Sequence, residues 1–114
     1  MIAVIFEAWP APGQKQRYLD LAMALRRDLE AIDGFISVER FQSFSDPEKL
    51  LSLSFFRDEA AVQQWRNLPG HRATQTHGRQ GVFSDYRLRV AEVNRDYGLN
   101  NRTEAPTDSA ELHR

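Results

Sequence analysis

Apolar residues recur along this chain with two periods, and the switches between them mark its elements. Ile2 to Ala8 is apolar and rich in β-branched residues, which predicts a strand. Pro10, Pro12 and Gly13 break it. From Gln14 to Ala31 the positions Tyr18, Leu21, Ala22, Leu25 and Leu29 recur at helical spacing that continues to Ile32, while Arg17, Asp20, Arg26, Arg27 and Glu30 fall mostly on the opposite face. One amphipathic helix is predicted there. Asp33-Gly34 stops it, glycine being suited to a left-handed C-cap. Phe35 to Phe44 reads as a strand with Phe35, Ser37, Glu39 and Phe41 on one face and Ile36, Val38 and Arg40 on the other. Ser45-Asp46-Pro47-Glu48 is a turn. Leu50 to Phe56 is a third strand, with Leu51, Leu53 and Phe55 on one face and Ser52 and Ser54 on the other, and so short a connection predicts an antiparallel hairpin.

Asp58 has the chemistry of an N-cap and Glu59 suits a first helical turn. The second helix runs to about Asn67 and buries Ala61, Val62 and Trp65, and Pro69-Gly70 breaks it. Val82 to Val93 is the last strand, carrying Phe83, Tyr86, Leu88 and Val90. Strands are usually about 5–6 residues long, so this one is expected to outrun its sheet and pair with a neighbouring subunit. The order βαββαβ is that of an α+β, ferredoxin-like fold with an antiparallel sheet. Two helices cover one sheet face. Ile2, Val4 and Phe6, or Phe35 and Phe41, cannot all lie beneath them. A wet apolar face of that size predicts a homodimer in which two sheets pack into a barrel-like core. The domain is expected to span residues 1–98, and the polar stretch 99–114 to form a flexible tail.

Composition narrows the function. The chain has 114 residues, enough for one domain. A net charge of −1 gives no electrostatic footprint for nucleic acid or an anionic membrane. Without cysteine there is no disulfide, thiolate ligand or cysteine nucleophile, and with no apparent signal peptide a cytoplasmic home is expected. No apolar run approaches the roughly 20 residues that cross a bilayer. P-loop, dinucleotide-binding and nucleophile-elbow motifs are missing, so NAD or ATP chemistry finds no support.

The block Trp65-Arg66-Asn67-Leu68-Pro69-Gly70-His71-Arg72 gathers an indole, an imidazole and two guanidinium groups at one helix break. Trp65 reads both as a core aromatic and as a rigid wall for stacking a flat ligand. His71 is either an exposed loop residue or a base reaching into the cleft between sheet and helices. His77 lies six residues on, which is not the spacing that puts two histidines on one helical face for a metal, so no metal site is assigned. Arg66, Arg72 and Arg79 form a solvated face or recognise a carboxylate. Phe83 and Tyr86 are further candidates for the pocket lining, and Glu7 reads as an edge or rim carboxylate.

Several of these segments together resemble the antibiotic biosynthesis monooxygenase domain family. They are the aromatic-rich first strand, Gly34-Phe35, Leu51-Ser52-Leu53-Ser54-Phe55-Phe56-Arg57-Asp58, Trp65 with His71, and Phe83-Ser84-Asp85-Tyr86 with Arg95-Asp96-Tyr97-Gly98. The resemblance covers Met1 to about Gly98. It implies a dimeric α/β barrel with one pocket per subunit. Some relatives oxidise phenolic or quinol-type polyketides with O2 and no metal or flavin. On that pattern His71 would accept the substrate proton, Trp65 would stack on the ring, Tyr86 and Arg72 would hold substrate oxygens, and Phe83 would line the same pocket. A similar branch degrades haem with an axial His, a nearby Trp and a first-strand Asn. Here the first strand has Glu7 and no Asn, and neither His71 nor His77 has the spacing of that axial ligand, so haem is the alternative. A non-catalytic small-molecule-binding dimer is a third.

Overall fold

A computed structural model describes residues 1–69 and 81–108 of the chain. Its elements are β1 (Ile2–Pro10), α1 (Lys15–Ala24), α2 (Arg26–Glu30), β2 (Phe35–Gln42), β3 (Leu50–Phe56), α3 (Glu59–Arg66) and β4 (Phe83–Glu92). The strands form one antiparallel sheet in the order β2-β3-β1-β4, the ferredoxin-like arrangement. The predicted hairpin is present as β2 and β3.

Local chemistry explains most boundaries. Asp58 caps α3 by accepting a hydrogen bond from the Ala61 amide at 3.0 Å, and its carboxyl is held below its ordinary pKa chiefly by that bond. Gly34 occupies φ +93° between α2 and β2 and packs tightly: a Cβ there would lie 3.0 Å from the Ala61 Cβ. Arg57 forks onto both oxygens of Asp33 at 3.2 Å and donates from Nε to Asp58 at 3.0 Å, tying the loop before β2 to the start of α3. Hydrogen bonding to Asp33 first, then to Asp58, raises the Arg57 pKa further.

Four sequence expectations are corrected. The first helix is interrupted at Leu25, whose ψ of −12° departs from α-helical geometry, so it reads as α1 and α2. The register of β2 shifts between Phe35 and Ser37, which turns Phe35 onto the same side as Val38, against Phe56, and leaves Phe41 on the other. Ile2, Val4, Phe6 and Phe35 all lie on the helix side; the helix-free face instead carries Ile5, Leu51, Leu53, Phe55 and Phe41. Finally, β4 does not outrun its sheet, because β1 continues to Pro10 and pairs with it throughout, with a register shift at Trp9/Pro10.

The core divides into two clusters. One joins Val4, Phe56, Leu29, Ile32, Ala61 and Val62, with Phe56 fully buried. The other joins Tyr18, Leu50 and Val82, with Phe6 and Phe83 packed against it. Beyond β4 the chain is mostly irregular: the Gly98 amide donates to the Asn101 carbonyl, the Ala105 amide closes a turn on the Arg102 carbonyl, and Arg102 lies over the Tyr97 ring.

Candidate functional site

Between the two core clusters the sheet and helices part, leaving a cavity of about 140 Å³ measured as space open to water-molecule centres. Val4 and Phe6 of β1, Val38 and Arg40 of β2, Ser52 and Ser54 of β3, and Tyr86 and Leu88 of β4 make its floor. Tyr18 and Ala22 of α1, Leu25, Leu29 of α2 and Trp65 of α3 make its roof, and Phe83 closes one end. Its origin is visible in β3. Leu51, Leu53 and Phe55 point to the helix-free side, so the centre of the floor carries only two serines where the flanking strands carry Val4, Phe6 and Val38. Short side chains there leave the depression.

The cavity has two chemically different ends. Phe6, Tyr18, Phe83 and Tyr86 form an aromatic box, with centroids 5.6 Å apart for Phe6–Phe83 and Phe6–Tyr86 and 5.4 Å for Tyr18–Phe83. Such tilted and edge-on pairs present both ring faces and edges to a guest. Toward β2 stands Arg40. Its Nε is buried without a hydrogen-bond partner. Among the described residues, Arg40 is the single ionisable cation or anion on the cavity wall, and no histidine, aspartate or glutamate joins it.

The predicted site residues are placed as follows. Trp65, Phe83 and Tyr86 all line this cavity, although they come from α3 and β4. Trp65 is also a packing residue, half-buried with its ring 6.1 Å from that of Phe56, so core aromatic and cavity wall describe the same side chain. His71, Arg72, His77 and Arg79 lie outside the described residues. Arg66 is exposed at the end of α3 and is not among the cavity-lining residues. Glu7 is on the helix-free face, bound by Lys49 and Arg89, and its pKa is lowered chiefly by the Lys49 hydrogen bond. It has no part in the cavity.

Sequence reading missed Arg40, Ser52 and Ser54 as site residues. The available signal was alternation: Ser52 and Ser54 alternate with the apolar Leu51, Leu53 and Phe55 in β3, and Arg40 shares a face of β2 with Val38. Among the described residues no cluster of three or more His, Cys, Asp or Glu could hold a metal, and no helix is long and apolar enough to cross a membrane.

Comparison with known proteins agrees with this architecture. The family model for antibiotic biosynthesis monooxygenase matches residues 1–77. A protein of Pyricularia oryzae named jasmonate monooxygenase ABM is 50% identical over 93 residues, which is 82% of this chain and 43% of that protein. This chain therefore spans less than half the length of that relative. A putative antibiotic biosynthesis monooxygenase from Deinococcus radiodurans superposes with a TM-score of 0.77 at 13% identity, covering 87% of this chain and 98% of that one. A protein from Mycobacterium tuberculosis gives 0.75 at 18% identity, covering 85% and 98%. At such identities the two structures speak for the fold alone.

Proposed function

Because the chain belongs to the antibiotic biosynthesis monooxygenase family, we propose that it is a cofactor-independent monooxygenase that oxidises a small ring compound with O2 in the cavity between sheet and helices. The observation that carries this reading is the cavity itself: a mainly aromatic and aliphatic pocket walled by Trp65, Phe83 and Tyr86, in a chain of that family.

The chemistry this chamber favours is one in which the substrate supplies the electrons. A ring methylene activated by a neighbouring carbonyl or phenol reacts with one molecule of O2 to give a ring carbonyl and one molecule of water. The two methylene hydrogens leave in the water, and one oxygen atom enters each product. The substrate loses four electrons and O2 takes them. The protein's work is to exclude water, to hold the ring and to accept one proton as the electron-rich anion forms. We assign the ring to Trp65 and the box of Phe6, Phe83 and Tyr86. To the Tyr86 hydroxyl we assign a contact with a substrate oxygen, since Tyr86 lines the cavity from β4. His71 is retained as the candidate proton acceptor and Arg72 as a candidate partner of a substrate oxygen, both on the family resemblance.

Substrate candidates are small phenols, quinols and anthrones, and the name of the relative from Pyricularia oryzae adds jasmonate. The two classes separate by electron count. Hydroxylation of a C–H bond draws two electrons from the substrate and needs a two-electron reductant besides, whereas oxidation of an anthrone methylene to a carbonyl needs none. Haem is the alternative guest: it would require an axial ligand, the described lining supplies no imidazole, thiolate or carboxylate, and His71 and His77 lie outside the described residues. We further propose that two copies pack through the helix-free face, where Ile5, Leu51, Leu53, Phe55 and Phe41 lie together.

The test is O2 consumption by the purified protein with hydroquinones, anthrones and jasmonate, each with and without NADPH, alongside a haem titration read in the Soret region. Uptake of one O2 per anthrone without NADPH, with isotopic oxygen from labelled O2 in the product, is expected. Saturable one-to-one haem binding that blocks the cavity, or no uptake with any substrate, would overturn the reading. Trp65→Phe should keep the fold and weaken binding of flat substrates by about 1 kcal/mol, the added worth of an aromatic contact; unchanged affinity would return Trp65 to packing alone.

A further inference from the structure

Arg40 is a cation with an incomplete set of partners at one end of a chamber whose other described lining residues carry no charge. Its Nε is buried and unpartnered. A buried donor without an acceptor is destabilising, and more so when it belongs to a charged group. Among the described residues no neighbouring acid resolves this. Glu39, the next residue, lies on the opposite side of β2, and Glu30 is engaged by Arg26 at 3.1 Å. Gln42, two positions along on the same side, commits its amide to the turn carbonyls of Ser43, Pro47 and Lys49 and its oxygen to Lys15. The residue is nonetheless held in the cavity floor by sheet pairing, directly opposite Ser52.

The register extends that pairing into a line. Arg40 pairs with Ser52, Ser52 with Phe6, and Phe6 with Leu88. Crossing three strand spacings covers about 14 Å, at roughly 4.8 Å each. Along it the floor changes from a guanidinium, through the Ser52 hydroxyl, to Phe6 of the aromatic box and Leu88. A guest that satisfies every part of this row has an anionic group at one end, a short linker over Ser52 and its ring at the far end among Phe6, Phe83 and Tyr86. The planar guanidinium fork matches a carboxylate better than any neutral oxygen.

We propose that the substrate is a small ring compound bearing a carboxylate, that Arg40 binds this carboxylate, and that the end remote from it is thereby presented to the aromatic box. This rests on the cavity being the oxygenation site, and it makes Arg40 the residue that sets both substrate class and orientation.

The experiment compares 1-naphthylacetate with its methyl ester by calorimetric titration of the whole chain, in wild type, Arg40→Gln and Arg40→Lys. Wild type should prefer the acid by about ten- to a hundredfold, the range expected of hydrogen bonds to a charged group. Arg40→Gln should lose the preference while its ester affinity is unchanged, and Arg40→Lys should keep part of it. Circular dichroism and the urea midpoint of each variant verify folding; should Arg40→Gln fail to fold, Arg40→Lys with a reduced preference and unchanged ester affinity decides the matter. Equal affinities in wild type, a preference that survives in Arg40→Gln, or no binding of the acid overturns the proposal. Oxygen uptake in the same preparations separates the two readings. An Arg40-dependent preference without turnover of any substrate leaves the anchor and removes the oxygenase, whereas turnover of neutral anthrones with no acid preference does the reverse.

Discussion

Replacing Gly34 with alanine probes how the chain sets α3, and with it the Trp65 wall, against the sheet. Gly34 lies at φ +93°, and an added Cβ would stand 3.0 Å from the Ala61 Cβ and 3.3 Å from the Cβ and Cζ of Arg57. A left-handed backbone costs an L-residue about 1–2 kcal/mol. Pressing a methyl group against Ala61, which is buried in the main core cluster, costs about 1–3 kcal/mol. Reduced freedom of the unfolded chain returns about 0.4–1 kcal/mol. The net expectation is a loss of about 3 kcal/mol, from the middle of these ranges. Urea unfolding followed by circular dichroism, at one fixed protein concentration, measures it as a lower midpoint with an unchanged slope. A second substitution tests the cause. Ala61→Gly alone costs about 1 kcal/mol in helix propensity, besides its buried methyl. Combined with Gly34→Ala it removes the 3.0 Å contact, so the double variant should be more stable than the sum of the two losses by about 1–2 kcal/mol. A Gly34→Ala protein within about 1 kcal/mol of wild type, or strictly additive losses, would refute the claim that Gly34 and Ala61 pack too closely to admit a Cβ.

Glu7 titrates below its ordinary pKa when folded, so its contribution is complete above the unfolded value of about 4.3 and is lost as pH falls through the lower folded value. Glu7→Gln should therefore narrow the gap between the urea midpoints at pH 7 and pH 3, and an unchanged gap would show the Lys49 and Arg89 contacts to be ineffective. Asp58→Ala removes the α3 cap and the Arg57 contact together, and should lower the melting temperature at pH 7 more than Asp58→Asn, which retains a capping oxygen; equal melting temperatures for the two variants would count against the cap. Leu53→Arg places a charge in the middle of the helix-free face, between Ile5 and Glu39, and should convert a dimer to monomers in light scattering after gel filtration. An unaltered dimer would put the interface elsewhere.

Much of this architecture is legible in the sequence because it rests on local physics. The apolar, β-branched run of β1, the alternation in β3, the Asp33-Gly34 stop, the Asp58 cap and the turn at Asp46-Pro47 each act within a few residues, and together they specify the ferredoxin-like order. Trp65, Phe83 and Tyr86 could be picked out as candidates by residue type and position. Their convergence on one chamber could not, because α3 and β4 meet only through the sheet between them. Facing direction also escapes the sequence wherever one irregular residue resets the alternation. The shift between Phe35 and Ser37 sends Phe35 into the core and keeps Arg40 inward, and no periodicity forecasts such a bulge. Alternation likewise shows that Ser52 and Ser54 share a side without saying which side receives the helices. Apolar residues usually face the core, so Leu51, Leu53 and Phe55 would be expected beneath the helices. The fold instead turns them outward and lays serines on the floor, because the aromatic and aliphatic side chains of β1, α1 and α3 already fill the two ends of the helix side. Sequence alone thus determined the elements and their order; the tertiary structure decided which face is the site, since that depends on packing between segments far apart in the chain.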